Sequence, residues 1–235
     1  MSIVDIAPAA VVLPLMAAGA SFTLYKHPNA QRLLSVVAML ATLCLESVLL
    51  VSTWGGEPQS VTLGAWAAPF GIVMVVDQLS SLMLVVSTLV SFAVMIYATG
   101  QGLADGDSDA PISVFYPTYL VLLAGVSNAF LAGDLFNLYV GFEILLTASY
   151  VLMTMSGSAP RIRAGITYTV VSVISSMLFL ISIGMIYGAV GTVNMADIAV
   201  KAGHLPVGTQ VQLHLMLLVA FGIKAAVFPL SLIHI

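Results

Sequence analysis

Residues Asp134 to Leu152 read DLFNLYVGFEILLTASYVL, an apolar run in which one carboxylate, Glu143, stands in the middle and a second, Asp134, stands at the start. A helix needs about 20 such residues to cross a hydrocarbon core about 30 Å thick at 1.5 Å per residue. Asp134 is placed to cap that helix by accepting from the free N–H groups of its first turn. Nine residues further on, Glu143 lies about 13 to 14 Å deep, near the midplane. A charged side chain there costs about 2.5 to 3.5 kcal/mol on insertion scales, so Glu143 is a candidate functional residue. Asn137, Tyr139, Thr147 and Ser149 supply polar groups able to hydrogen-bond an acid or hold water beside it.

The rest of the chain repeats this pattern. Of its 235 residues, 60% are hydrophobic and 7% charged, against roughly 25% charged in a soluble domain. With a mean hydropathy of +1.12, the solvent of this fold is lipid. Spanning helices are expected at about 7–25, 33–53, 75–98, 114–132, 135–155, 164–189 and 211–235. The fold class is therefore an all-α polytopic transmembrane bundle of about seven helices, with 1–235 as a single transmembrane domain. Six basic residues with no cluster leave nothing to neutralise a phosphate backbone, which excludes nucleic acid as a partner. The single cysteine, Cys44, offers no ligand set for a disulfide, zinc site or iron–sulfur cluster, so neither a cofactor nor a metal is expected.

Lys26, Arg32, Arg161 and Arg163 fall in loops on one side and Lys201 on the other. The positive-inside rule then puts the N-terminus outside. Residues 55–74, with Gly55, Gly56, Pro58 and the β-rich VTLGAW, suggest a short hairpin against the bundle. Asp105, Asp107 and Asp109 resemble the start of a calcium loop, but Ala110 and Tyr116 occupy the positions that need Gly and Glu. Gly184 and Gly188 form a small-xxx-small pair of the kind used in close helix packing.

The remaining intramembrane charges divide by position. Asp77 opens a helix as Asp134 does, and capping accounts for both. Glu46, seven residues from the end of the second span, reads equally well as a buried hydrogen-bonded acid or as a helper in an ion path. Lys224, in LMLLVAFGIKAAVFPL, lies about 16 Å deep if the core begins near Leu213, opposite in sign to Glu143 and at a similar depth. Pro229, five residues later, invites a break in the helix, a pointer to transport sites. His214 reads as a hydrated rim residue near Gln210 and Gln212.

The stretch DLFNLYVGFEILLTASYVL, together with GIKAAVFPL and VDQLSSLML, resembles the antiporter-like membrane subunits shared by Mrp-type sodium/proton antiporters, respiratory complex I and membrane-bound hydrogenases. Within that family these residues are most similar to the D-type members of the Mrp antiporters. The resemblance implies a proton-translocating subunit of a hetero-oligomeric bacterial membrane complex that exchanges protons for Na+, with no organic cofactor. It carries proton-path roles onto Glu143 and Lys224 alone; Glu46, Asp134, Asn137, Tyr139, Thr147, His214 and Pro229 are supporting candidates from the reading of the residues themselves. It also implies a second unit of inverted topology, so the chain reads as the first half of that fold. Residues 231–235, including His234, read as a non-native end. The alternative keeps the fold and changes the energy source, to a complex I-like quinone reductase or a hydrogenase.

Overall fold

A computed structural model describes residues 3–66, 69, 71–100, 114–155, 157, 159–225 and 227. The helices are α1 (Ala9–Thr23), α2 (Pro28–Thr53), α3 (Gln78–Gly100), α4 (Phe115–Leu131), α5 (Leu135–Thr154), α6 (Ala159–Val190), the short α7 (Met195–Lys201) and α8 (Val207–Lys224). Six of these are long and apolar enough to cross a membrane, and α4 is an apolar helix slightly shorter than those. Each of the seven expected spans contains one of these helices, the last of them, expected over 211–235, described as helix only to Lys224. Large apolar side chains such as Met16, Leu33, Val51 and Leu79 are exposed, as a lipid-facing surface requires. The chain is a multi-pass membrane protein.

Helix starts follow local chemistry. Pro28 occupies the first turn of α2, where its missing N–H costs nothing. Asp134 caps α5 by accepting from the N–H of Asn137 at 2.7 Å, and Asp77 accepts from the N–H of Ser80 at the start of α3. Asn194 caps α7, an element that hydropathy does not reveal.

The expected hairpin is present, displaced toward the third helix. Strand β1 (Gln59–Thr62) pairs antiparallel with β2 (Val73–Val76), Gln59 opposite Val76 and Thr62 opposite Val73. The all-apolar β2 (VMVV) reads by hydropathy as the beginning of a span; α3 instead starts at Gln78. The strand is held because its outer edge is used. The Gly133 N–H donates to the Val73 carbonyl at 2.8 Å, and the Val73 N–H donates to Asp134 Oδ2 at 3.1 Å. On their other side, Leu135 N–H donates to Val193 O at 2.9 Å, and Met195 N–H to Gly133 O at 3.0 Å. The connections α2–α3, α4–α5 and α6–α7 are thus stitched into one rim, here called the hairpin face. Gly133 permits the stitch, since a Cβ there would lie 2.7 Å from Val75 Cγ2 and 2.9 Å from Val73 O.

Within the bundle, α4 and α5 approach closely through Gly125 and Gly141. A Cβ on Gly125 would sit 2.9 Å from the Leu145 nitrogen. Gly184 and Gly188 have nothing within 4 Å of such an atom, so the packing role expected of them is not met among the described residues. Two apolar cores fill α1–α4. One is near the hairpin face, around Leu49, Val76 and Leu131, and the other is at the opposite end, around Met39, Tyr116 and Leu120. A third, around Phe179, Ile183 and Leu213, joins α5, α6 and α8. The acidic segment Asp105–Asp109, Pro229 and residues 231–235 lie outside the described residues.

The rim makes Asp134 structurally expensive to remove. Asp134→Ala loses a helix cap and strands the buried Val73 N–H, together worth about 2 to 4 kcal/mol. Asp134→Asn, which keeps an acceptor oxygen, should lose less than half as much. Thermal unfolding in detergent checks this, and an Asp134→Ala variant melting with the wild type would contradict it.

Candidate functional site

Helix α8 ends at Lys224, where the Ala225 N–H bonds back to Phe221 O at 2.8 Å and the Val227 N–H to Gly222 O at 3.0 Å. The lysine therefore stands at the terminus of the described helix, and Pro229, where a break is expected, lies outside the described residues. A C-terminal helix end favours a cation through its unpaired carbonyls.

Lys224 Nζ donates to Ser176 Oγ at 3.1 Å and lies 4.9 Å from the centre of the Phe142 ring. Ser176 is 17 residues from one end of the 32-residue α6 and 14 from the other, about 25 and 21 Å at 1.5 Å per residue. The ammonium is therefore at the middle of the bundle's longest helix. Glu143, adjacent to Phe142 in α5, is half-buried, and its Oε1 has no hydrogen-bond partner among the described residues. Glu143 lies within electrostatic range of Lys224, yet no nitrogen and oxygen of the two approach within 4.0 Å. The two charges share one region without forming a contact ion pair.

Either side of Lys224 is different in kind. Toward the hairpin face, Tyr139, Phe142, Phe179 and Phe221 form an aromatic plug, with centroid separations of 6.1 Å for Phe142–Phe179 and 5.0 Å for Phe179–Phe221. Toward the opposite end lies a cavity of about 200 Å³ lined by Tyr168, Ser172, Ser175 and Lys224 together with apolar residues of α5, α6 and α8. At about 30 Å³ per water it has room for several waters, and the hydroxyls and the ammonium supply the polar partners that such waters need. Sequence reading missed this wall of α6. Its signal was present in the spacing of Tyr168, Ser172, Ser175 and Ser176, which puts them on adjoining helical faces.

The remaining candidates are dispersed. Tyr139 is close enough to Glu143 to feel its charge and belongs to the plug. Asn137 is buried in the rim network, where Asn128 Nδ2 donates to its Oδ1 and its backbone O, both at 3.1 Å. Asp134 serves the rim. Thr147 is exposed, and Ser149 Oγ bonds to Leu145 O of its own helix, so neither reaches Glu143. His214 is exposed, with Nδ1 2.7 Å from Gln210 O of its own helix. Glu46 is fully buried among α2, α3 and α4, away from this cluster.

Comparison with known proteins places this architecture. Residues 132–232 match the family model described as NADH:quinone oxidoreductase/Mrp antiporter, TM, and residues 62–100 match that of the NADH-ubiquinone oxidoreductase (complex I) chain 5 N-terminus. The chain belongs to the NADH:quinone oxidoreductase/Mrp antiporter membrane-subunit family. It is similar to the D-type subunit of the Na+/H+ antiporter of Alkalihalophilus pseudofirmus, with 37% identity over 94% of this chain and 44% of that one. Among solved structures, it resembles a chain of the Mrp complex from Dietzia sp. DQ12-45-1b (TM-score 0.85, 27% identity, 98% of this chain and 42% of that one). It also resembles a chain of an archaeal membrane-bound sulfane sulfur reductase (TM-score 0.86, 28% identity, 96% and 46%). The chain spans about half the length of the relatives it matches.

The plug and cavity make a labelling prediction. With Cys44 replaced by serine, a cysteine at Ser172 should react with a small charged methanethiosulfonate reagent. One at Ser182, buried on the hairpin side of Phe179, should not. Equal labelling of both would show that the aromatic cluster does not divide wet from dry.

Proposed function

We propose that this chain is a proton-translocating part of a multisubunit monovalent cation/proton antiporter of the bacterial cytoplasmic membrane, exchanging H+ for Na+, with Glu143 and Lys224 as its central proton-path residues. Other membrane subunits are its partners, and its role is transport rather than enzymatic catalysis. The observation that carries the reading is the placement of Lys224: at the midpoint of α6, beside a water-sized cavity, in electrostatic reach of Glu143 but not bonded to it. A contact ion pair would hold both charges permanently. Two charges coupled at a distance respond to each other's protonation.

The cycle follows from that coupling. A proton reaching Glu143 neutralises it and removes the negative charge that favours an ammonium at Lys224. Lys224 then releases its own proton into the waters of the cavity, with Ser176 holding the amine in place. Glu143 then passes its proton to Lys224 through water, which restores the carboxylate and the ammonium together, and the aromatic plug keeps the two aqueous sides from joining in a leak. The hairpin face is the outer face in this proposal, with the cavity toward the cytoplasm.

The same geometry serves a redox-driven complex, and the likeness to the sulfane sulfur reductase chain supports that second reading. Genomic neighbours discriminate the two: iron–sulfur proteins beside this gene favour the redox complex, and small membrane subunits alone favour the antiporter.

Glu143→Gln, which keeps shape but cannot ionise, should cut exchange in inverted vesicles by about 100-fold or more, the scale of a lost proton-transfer group, with complex assembly retained on native gels. Lys224→Ala should fail similarly, and Lys224→Arg should be poor because guanidinium scarcely deprotonates. A purely structural pair would tolerate Lys224→Arg and show its defects first in assembly. For orientation, with Cys44 replaced, a cysteine at Glu57 should label with an impermeant thiol reagent in intact cells and one at Asn29 should not. The reverse pattern overturns the orientation.

A further inference from the structure

One face of α2 carries Gln31, Ser35, Thr42, Glu46 and Thr53, each at most 1% exposed. Their spacings of four and seven residues align them along a single helical stripe. The stripe runs 22 residues, about 33 Å, which is the thickness of the hydrocarbon core. A helix in lipid gains nothing by burying polar groups unless they are used, because each one left unpaired costs free energy. Here several are unpaired. Ser35 Oγ, Thr88 Oγ1 of α3 and Glu46 Oε2 are buried without a hydrogen-bond partner among the described residues.

Glu46 is the one ionisable group of this stripe and is wholly inaccessible. Ser127 Oγ of α4 donates to its Oε1 at 3.3 Å, and Thr88 is its other polar neighbour. No basic side chain forms an ion pair with it among the described residues. Helices α1, α3 and α4, which pack around α2, contribute no Asp, Glu, Lys, Arg or His, and Asp5, in the turn before α1 that also packs against α2, is exposed. Leu49 and Met39 are fully buried on the same face of α2, one on either side of Glu46. The site is therefore small, occluded and supplied with oxygen atoms. It is too poor in ligands for a metal cation, which takes six or more oxygens in the calcium and magnesium cases, and sufficient for a proton.

We propose that Glu46 is a second proton-binding site of this subunit, served by the buried polar stripe of α2 and separate from Glu143 and Lys224. A hydronium ion that reaches Glu46 gives its proton to Oε2 and leaves as water; an O–H bond forms on the carboxylate as one breaks on hydronium. In the reverse step the acid protonates a water. Ser127 holds Oε1 in place while Oε2 alternates between the two forms. Proton occupancy at Glu46 would then change the charge inside the α1–α4 half of the bundle, as Glu143 does in the α5–α8 half.

The inference rests on the chain being a proton-translocating subunit, and its test separates the two. Infrared difference spectroscopy after a pH jump, on the assembled complex in lipid, should show a carboxylic C=O band that shifts in D2O, persists in Glu143→Gln and disappears in Glu46→Gln. Exchange in Glu46→Gln vesicles should fall at least about tenfold, within the range of a lost proton carrier, with assembly normal, and Glu46→Asp should recover part of it. Glutamine reproduces the shape and hydrogen bonding of a permanently packed acid, so near-normal exchange in Glu46→Gln overturns the proposal. Absence of a Glu46-dependent band overturns it as well, and in either case a dead Glu143→Gln leaves the first reading standing.

Discussion

The ammonium of Lys224 has three hydrogens to place, and the described residues give it one hydroxyl, Ser176 Oγ, and the face of Phe142. Such a group at the middle of a membrane helix is tolerated only if water or a nearby negative charge completes its surroundings. The cavity beside Tyr168, Ser172 and Ser175 provides space for the first, and Glu143, held beyond contact distance, provides the second. Incomplete satisfaction is what the proposed release of that charge requires. A fully bonded pair would be a strut.

Holding two charges in range but out of contact requires helices that do not slide. Helix α5 is fixed at its start by Asp134, whose two carboxylate oxygens accept from Asn137 and from Val73 of the hairpin. The backbone of Gly133 to Leu135 is bonded on one side to Val73 and on the other to Val193 and Met195. Below that rim, Gly125 and Gly141 bring α4 and α5 together so closely that a methyl group would not fit. The depth of Glu143 is set by these contacts, and the depth of Lys224 by the end of α8 against Ser176. Stability at the rim and charge coupling at the midplane are thus linked through α5.

Much of this is readable from sequence because lipid leaves few choices. Every expected span contains a helix, Asp134 and Asp77 cap helices as their positions require, and Glu143 and Lys224 stand out by the cost of a charge at their depth. What escapes such reading depends on neighbours. Val73–Val76 is as apolar as a span and becomes a strand because the α4–α5 turn offers it backbone partners. Gly184 and Gly188 have the motif for close packing and face outward, whereas Gly125 and Gly141, without that spacing between them, make the contact. The serines of α6 look like ordinary polar residues on a long helix until α8 ends against them. Thr147 and Ser149 share the stretch of Glu143 but not its surroundings.

The central claim is that Glu143 and Lys224 act as one coupled unit rather than as two separate requirements. A double-mutant cycle tests it directly: exchange rates are measured in vesicles carrying the full complex with Glu143→Gln, with Lys224→Ala and with both, at matched assembly. Residues that work as a unit are strongly non-additive, so the double variant should be no slower than the slower single one. If the two losses multiply instead, the charges serve independent steps and the coupled account is wrong.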